Sequence, residues 1–116
     1  LALLNRDDIL AQDNLNTEDV SVPEWGGEVR VREMTASDRD TFEARFANTE
    51  GKANMNNVRA ELVSKCVVDE EGNRLFTKED MKKLADKSAS AMDRIFQKTL
   101  ELSGMSQDSQ EEEVKN

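Results

Sequence analysis

Two runs in which valine alternates with polar residues flank a segment that neither strand nor helix can continue through. Val20 and Val22 alternate with Asp19 and Ser21, and Val29 and Val31 alternate with Glu28, Arg30 and Arg32. Between the runs stands Pro23-Glu24-Trp25-Gly26-Gly27. A side-chain period of two puts the valines of each run on one face. Pro23 has no N–H to give to a sheet ladder, and glycine adopts positive φ without steric cost, so these five residues connect two strands. The pattern predicts a β-hairpin over 18–33. An isolated hairpin is marginal in water, so its valine face must rest on another part of the chain.

Helices supply that cover. Asn5-Arg6-Asp7-Asp8-Ile9-Leu10 offers a capping residue followed by acids in the first turn, which predicts a short helix ahead of a loop, together filling 1–16. Thr35-Ala36-Ser37-Asp38 is a variant of the capping box and opens a helix that carries Phe42 and Phe46 and ends near 48–51. A second helix is expected from Asn54 to Val68, with Met55, Val58, Leu62 and Cys66 on its apolar stripe and Asn57, Glu61 and Ser64 on the other side. Asp69 to Asn73 reads as a turn that returns Leu75 and Phe76 to the core, where they could pair with Val67 and Val68. Thr77 to Asp80 repeats the cap-plus-acid pattern ahead of a short helix through Met81 and Leu84 to Ala85. The last helix, over 87–103, sets Ala89, Met92, Ile95, Phe96, Leu100 and Leu102 opposite Asp93, Arg94, Gln97, Lys98 and Glu101. Gly104 sits where a left-handed residue would stop it. The expected fold is α+β and mainly α-helical: an N-terminal β-hairpin packed on a bundle of about four helices. Residues 17–104 would form a single domain, followed by an acidic disordered tail over 105–116 that contains Glu111-Glu112-Glu113.

Composition narrows the function. The 116 residues hold 16 Lys and Arg against 25 Asp and Glu, a formal net charge of −9, and no histidine. Without imidazole, a histidine base and the histidine zinc sites are excluded. A single cysteine, Cys66, allows no internal disulfide, and its place on an apolar stripe reads as a small buried hydrophobe. Gly26-Gly27 lacks the spacing of a phosphate-binding loop. If Gly72 were the sixth position of a calcium loop, the first and twelfth would be Val67 and Lys78, which cannot stand in for carboxylates. No apolar run approaches the ~18 residues of a membrane span. Net acidity argues against sequence-independent nucleic-acid binding. We expect no catalytic residue, no metal and no cofactor; a binding protein is left.

The candidate binding features are few. Arg30, Arg32 and Arg39 could form a basic patch, although cross-strand pairing with Glu18, Asp19 or Ser21 is the reading the pattern favours. Trp25 stands in the hairpin connection, either as a binding anchor or as a cover for the open end of the core. The last helix has a broad stripe for so small a domain. Core packing is its default reading, but part of it, through Met92, Ile95, Phe96 and Leu100, could face a partner.

Four blocks of the chain together resemble the tail assembly chaperones of long-tailed bacteriophages. They are Asn5-Arg6-Asp7-Asp8-Ile9-Leu10; Val22-Pro23-Glu24-Trp25-Gly26-Gly27-Glu28-Val29-Arg30-Val31-Arg32; Met34-Thr35 with Arg39-Asp40; and Lys87-Ser88-Ala89-Ser90-Ala91-Met92-Asp93-Arg94-Ile95-Phe96 through Leu102-Ser103-Gly104. The resemblance implies a non-enzymatic protein of the host cytoplasm that coats and solubilises the tape-measure protein, helps recruit tail-tube subunits, and is absent from the finished virion. It also implies, for many phages, a longer frameshifted product. Self-association is expected of a coating protein, and neither nucleic acid nor membrane is an expected partner. The alternative is a structural head–tail joining or tail-completion protein of the virion. A small helical transcription regulator is disfavoured by the negative charge and the lack of a basic recognition helix.

Overall fold

A computed structural model describes residues 2–47 and 57–105. Met55 and the acidic stretch from Ser106 lie outside the described residues, as does the side chain of Phe46. The architecture is α+β and mainly helical, with five helices and a three-stranded antiparallel sheet among the described residues.

Local signals account for most element boundaries. Helix α1 (Arg6–Leu10) starts at a reciprocal capping box, in which the Asp8 amide donates to Asn5 Oδ1 at 2.8 Å and the Asn5 amide donates to Asp8 Oδ2 at 3.2 Å. Strands β1 (Thr17–Val22) and β2 (Gly27–Arg32) form the hairpin, one residue earlier than the valine pattern places it. A 3₁₀ turn over Pro23–Trp25 joins them, and Gly26 leaves that turn at φ +71°, a conformation that suits glycine. The register pairs Val20 with Val29 and Asp19 with Arg30. Helix α2 (Ala36–Ala47) opens on the Thr35–Asp38 box, at 3.0 and 3.1 Å. Helix α4 (Met81–Ala85) follows a 3₁₀ turn in which the Thr77 amide donates to Asp80 at 2.9 Å.

Two elements differ from expectation. Helix α3 (Val58–Cys66) stops before Val67, and Val67–Val68 form β3, a third strand antiparallel to β2. Two residues are too few to show a period, and although the sequence suggests that they pair with the segment beyond the turn, nothing in it signals their pairing with β2. The turn beyond it pairs one residue earlier than expected: Val68 bridges Arg74, and the Leu75 amide donates to Val67 O at 3.0 Å. Phe76 packs against the core, whereas Leu75 does not return to it and is 55% exposed.

The last helix, α5 (Ala89–Leu102), begins at Ser88, whose Oγ accepts from the Ala91 amide at 3.3 Å. It ends in a Schellman motif: the Gly104 amide donates to Glu101 O, the Met105 amide donates to Leu100 O, and Gly104 lies at φ +75°. Ala89 is exposed and Ala91 takes its place in the core. Helix α5 lies between α3 on one side and β1 and β2 on the other. Ile95 at its centre is fully buried, and the Phe42 and Phe96 rings meet at 6.0 Å between centroids, tilted by 57°.

Buried polar groups are satisfied locally. Thr99 Oγ1 donates to Ile95 O at 2.9 Å, and Ser64 Oγ donates to Glu61 O at 2.7 Å. That bond lets Ser64, assigned by helical spacing to the polar side, sit inside the core beside Val63. Asp38 accepts from both a backbone amide and a guanidinium. Burial opposes its ionisation, but the Thr35 amide and the Arg32 guanidinium at 3.0 Å outweigh burial and hold its carboxyl below the usual range. A carboxyl depressed in the folded state contributes stability above its unfolded pKa and loses that contribution as pH falls through the folded value.

Two outcomes follow. Ile95→Ala should lower unfolding free energy by about 2–5 kcal/mol in urea titrations. Asp38→Asn should cost stability at neutral pH, and its deficit should shrink between about pH 5 and pH 2, where wild type loses the ionised form.

Candidate protein-binding surface

The residues singled out on the last helix are spent on the interior. Met92, Ile95, Phe96 and Leu100 are all buried on α5. The stripe is broad because α5 is covered on two fronts, by a helix and by a sheet, and each front needs apolar side chains. In this conformation none of the four is open to a partner.

Trp25 is placed differently. It is 40% exposed at the end of the hairpin, and its neighbours fix the connection. Arg94 Nε on α5 donates to both carboxylate oxygens of Glu24, at 2.9 and 3.2 Å. The Glu24 backbone amide and then Arg94 lower the Glu24 carboxyl from its usual range. The turn is therefore tethered to the central helix while Trp25 stays partly open to solvent.

Sequence reasoning passed over further exposed apolar residues. Leu3, Leu4, Ile9 and Leu10 lie along the N-terminal segment, where α1 buries none of its own residues. A five-residue helix is too short to display a face. Leu75 was read as core because it stands beside Phe76, but only one of the two turns inward.

The three arginines are engaged by carboxylates. Arg30 grips Asp19 through Nε at 2.7 Å and Nη2 at 3.1 Å, the cross-strand pairing the hairpin pattern favours. The pair raises the Arg30 pKa and lowers that of Asp19. Arg32 instead turns to Asp38 at the start of α2, and Arg39 to Glu43 at 2.9 Å. The three do not present a joint cationic surface.

Chemistry at the remaining groups is muted. Cys66 is fully buried, and burial pushes its thiol up to about 12. Among the described residues, no three of Cys, Asp and Glu cluster as a metal cage, and no helix is long and apolar enough to cross a membrane. What the geometry offers is surface: apolar side chains outside the core of an acidic chain.

A family model described as phage tail assembly chaperone matches residues 6–116. The chain belongs to the phage tail assembly chaperone family. Among curated proteins none matches it. The solved structure of the bacteriophage HK97 tail assembly chaperone is similar to it in fold, with a TM-score of 0.61 at 15% identity, covering 83% of this chain and 90% of that one. The family assigns the protein a chaperone role in tail assembly.

Burial of the thiol has a direct check. At about pH 8 the native chaperone should fail to react with an aromatic disulfide reagent over minutes, and should react fully once unfolded in guanidinium.

Proposed function

We propose that this chaperone binds the tape-measure protein and keeps it soluble, helps recruit tail-tube subunits, and acts in the host cytoplasm without remaining in the virion. The observation that carries the reading is the division of apolar residues. The core is complete without Leu3, Leu4, Ile9, Leu10, Trp25 and Leu75, and these stay outside it. Exposed apolar residues on an acidic chain suit a protein that must touch a greasy client without precipitating. Apolar contacts hold the client, and a formal charge of −9 on each bound copy keeps coated complexes apart.

The N-terminal segment also suits self-association. Residues 2–10 are all exposed, so its leucines can rest on a neighbouring copy and allow coating proteins to follow one another along a client. No step here makes or breaks a covalent bond.

Co-expression tests the proposal. With the full chain present, most tape-measure protein of the same phage should move from the pellet to the supernatant; an unchanged distribution refutes the reading. Mass spectrometry of purified particles should not detect the chain, and stoichiometric retention would favour a head–tail joining or tail-completion component.

A further inference from the structure

Among the described residues the sheet has two edges, and only one of them is closed. Beyond β3 the chain turns back on itself: Val68 bridges Arg74, and the Leu75 amide donates to Val67 O at 3.0 Å. β1 is the other edge, since the strand order is β1-β2-β3. The Glu33 amide donates to Asn16 O at 2.8 Å, which makes Asn16 and Glu33 a bonded pair that continues the hairpin register. Bonded and non-bonded pairs alternate along an antiparallel ladder, so Glu18, Val20 and Val22 direct their N–H and C=O groups to β2. Those of Thr17, Asp19 and Ser21 point away from it, and all three residues are exposed. Natural edges are usually blunted by lysine, proline or a bulge. β1 has none of these, and its six residues keep an unbroken register with β2. Its two acids are already met, Asp19 by Arg30 and Glu18 by Lys98 at 3.0 Å.

We propose that β1 pairs antiparallel with β1 of a second copy, across a two-fold axis at Asp19, so that two three-stranded sheets become one. The free positions 17, 19 and 21 are symmetric about 19. An axis there sets Thr17 against Ser21 of the second copy and Asp19 against its own counterpart, so every free N–H and C=O of one edge meets one of the other. Shifting the pairing by two residues leaves part of each edge unmatched. The side chains agree with this register. Threonine opposite serine is a favourable cross-strand pair. Two facing aspartates would repel, but Arg30 holds each carboxylate through Nε at 2.7 Å and Nη2 at 3.1 Å, so each acid reaches the seam with its own cation. Counting outward, Leu15 of each copy comes to Pro23 of the other, at the hairpin end where Trp25 is exposed. The contact therefore gains apolar area at both ends. A strand from another protein would meet the same backbone groups, but the fit of three free positions onto three about one residue belongs to two identical edges. This contact is separate from the N-terminal one proposed above, and it needs no client.

The test uses the full chain in sedimentation equilibrium, where wild type should show a reversible equilibrium between monomer and dimer. Ser21→Pro removes an outward N–H and leaves the ladder with β2 whole. It should weaken the dimer at least about tenfold while the circular dichroism spectrum stays that of wild type. Cysteine pairs read the register without a proline. The Cα atoms of a bonded pair lie about 5.5 Å apart, within reach of a disulfide. Mixing Thr17→Cys with Ser21→Cys under mild oxidation should give a covalent dimer of one of each. Either variant alone should give none, since neither position faces itself, and the buried Cys66 takes no part.

A wild-type chain that stays monomeric at every concentration overturns the proposal, and so does a dimer that Ser21→Pro leaves intact. Cross-linking of Thr17→Cys alone, as efficient as in the mixture, overturns it as well, because a parallel pairing would then hold. If the chain is monomeric and Ser21→Pro abolishes solubilisation of the tape-measure protein, the edge takes a strand of the client and a second copy is not its occupant. A wild-type chain that dimerises through this edge but fails to solubilise the tape-measure protein refutes the function proposed above and leaves the edge contact standing.

Discussion

Burial of α5 between α3 and the sheet is the interaction on which the rest of this structure depends. A two-stranded hairpin does not persist by itself, and β3 adds only two residues to it. The inward valines Val22 and Val31 are buried because α5 lies against their strands. On its other front the same helix packs on α3, and Phe96 carries the contact on to Phe42 of α2. Removing α5 would expose both layers at once. Its ends are accordingly well fixed, by Ser88 at the start and by the left-handed Gly104 at the finish.

Charge reinforces the same placement from outside. Arg94 reaches Glu24 in the hairpin turn, and Lys98 reaches Glu18 on β1 at 3.0 Å. The pKa of Lys98 is raised by Glu101 and then by Glu18. At 5.6 Å from the Phe96 ring, the Arg59 guanidinium adds a cation–π contact over the aromatic pair. Exposed pairs of this kind contribute little to stability, because water screens them. Their role is orientation: they fix how the hairpin sits on α5, while buried apolar area provides the main driving force. Because cations are outnumbered, pairing them leaves carboxylates over, and the surface stays acidic after its ion pairs are made.

Sequence made the hairpin legible because valine alternation and a Pro-Gly connection are both local signals. The caps at Asn5 and Thr35 were legible for the same reason, and each appears with its hydrogen bonds. β3 was legible only toward the turn, where Val67 and Val68 pair with the segment beyond it; their pairing with β2 was not, because the two valines continue an apolar helical run. Ser64 was misplaced because helical spacing counts its hydroxyl as polar, whereas a bond to Glu61 O satisfies that hydroxyl inside the core. For the binding surface the difficulty is more general. An amphipathic pattern says that a face is apolar and says nothing of what covers it. The stripe of α5 was recognised as a stripe, but its cover turned out to be the protein itself.

That distinction bears on how a small chaperone divides its apolar residues. Only 36% of the chain is hydrophobic and 4% aromatic, so each apolar residue left outside the core is one the fold does without. Natural domains sit only a few kcal/mol above unfolding, and leucines kept at the surface add nothing to that margin while raising the risk of aggregation. Leucines at the N-terminus, Trp25 at the hairpin end and Leu75 beyond the turn after β3 are therefore hard to explain by folding. They become reasonable when the chain works next to another polypeptide, with the surplus of carboxylates as the counterpart that keeps such a surface from aggregating without order.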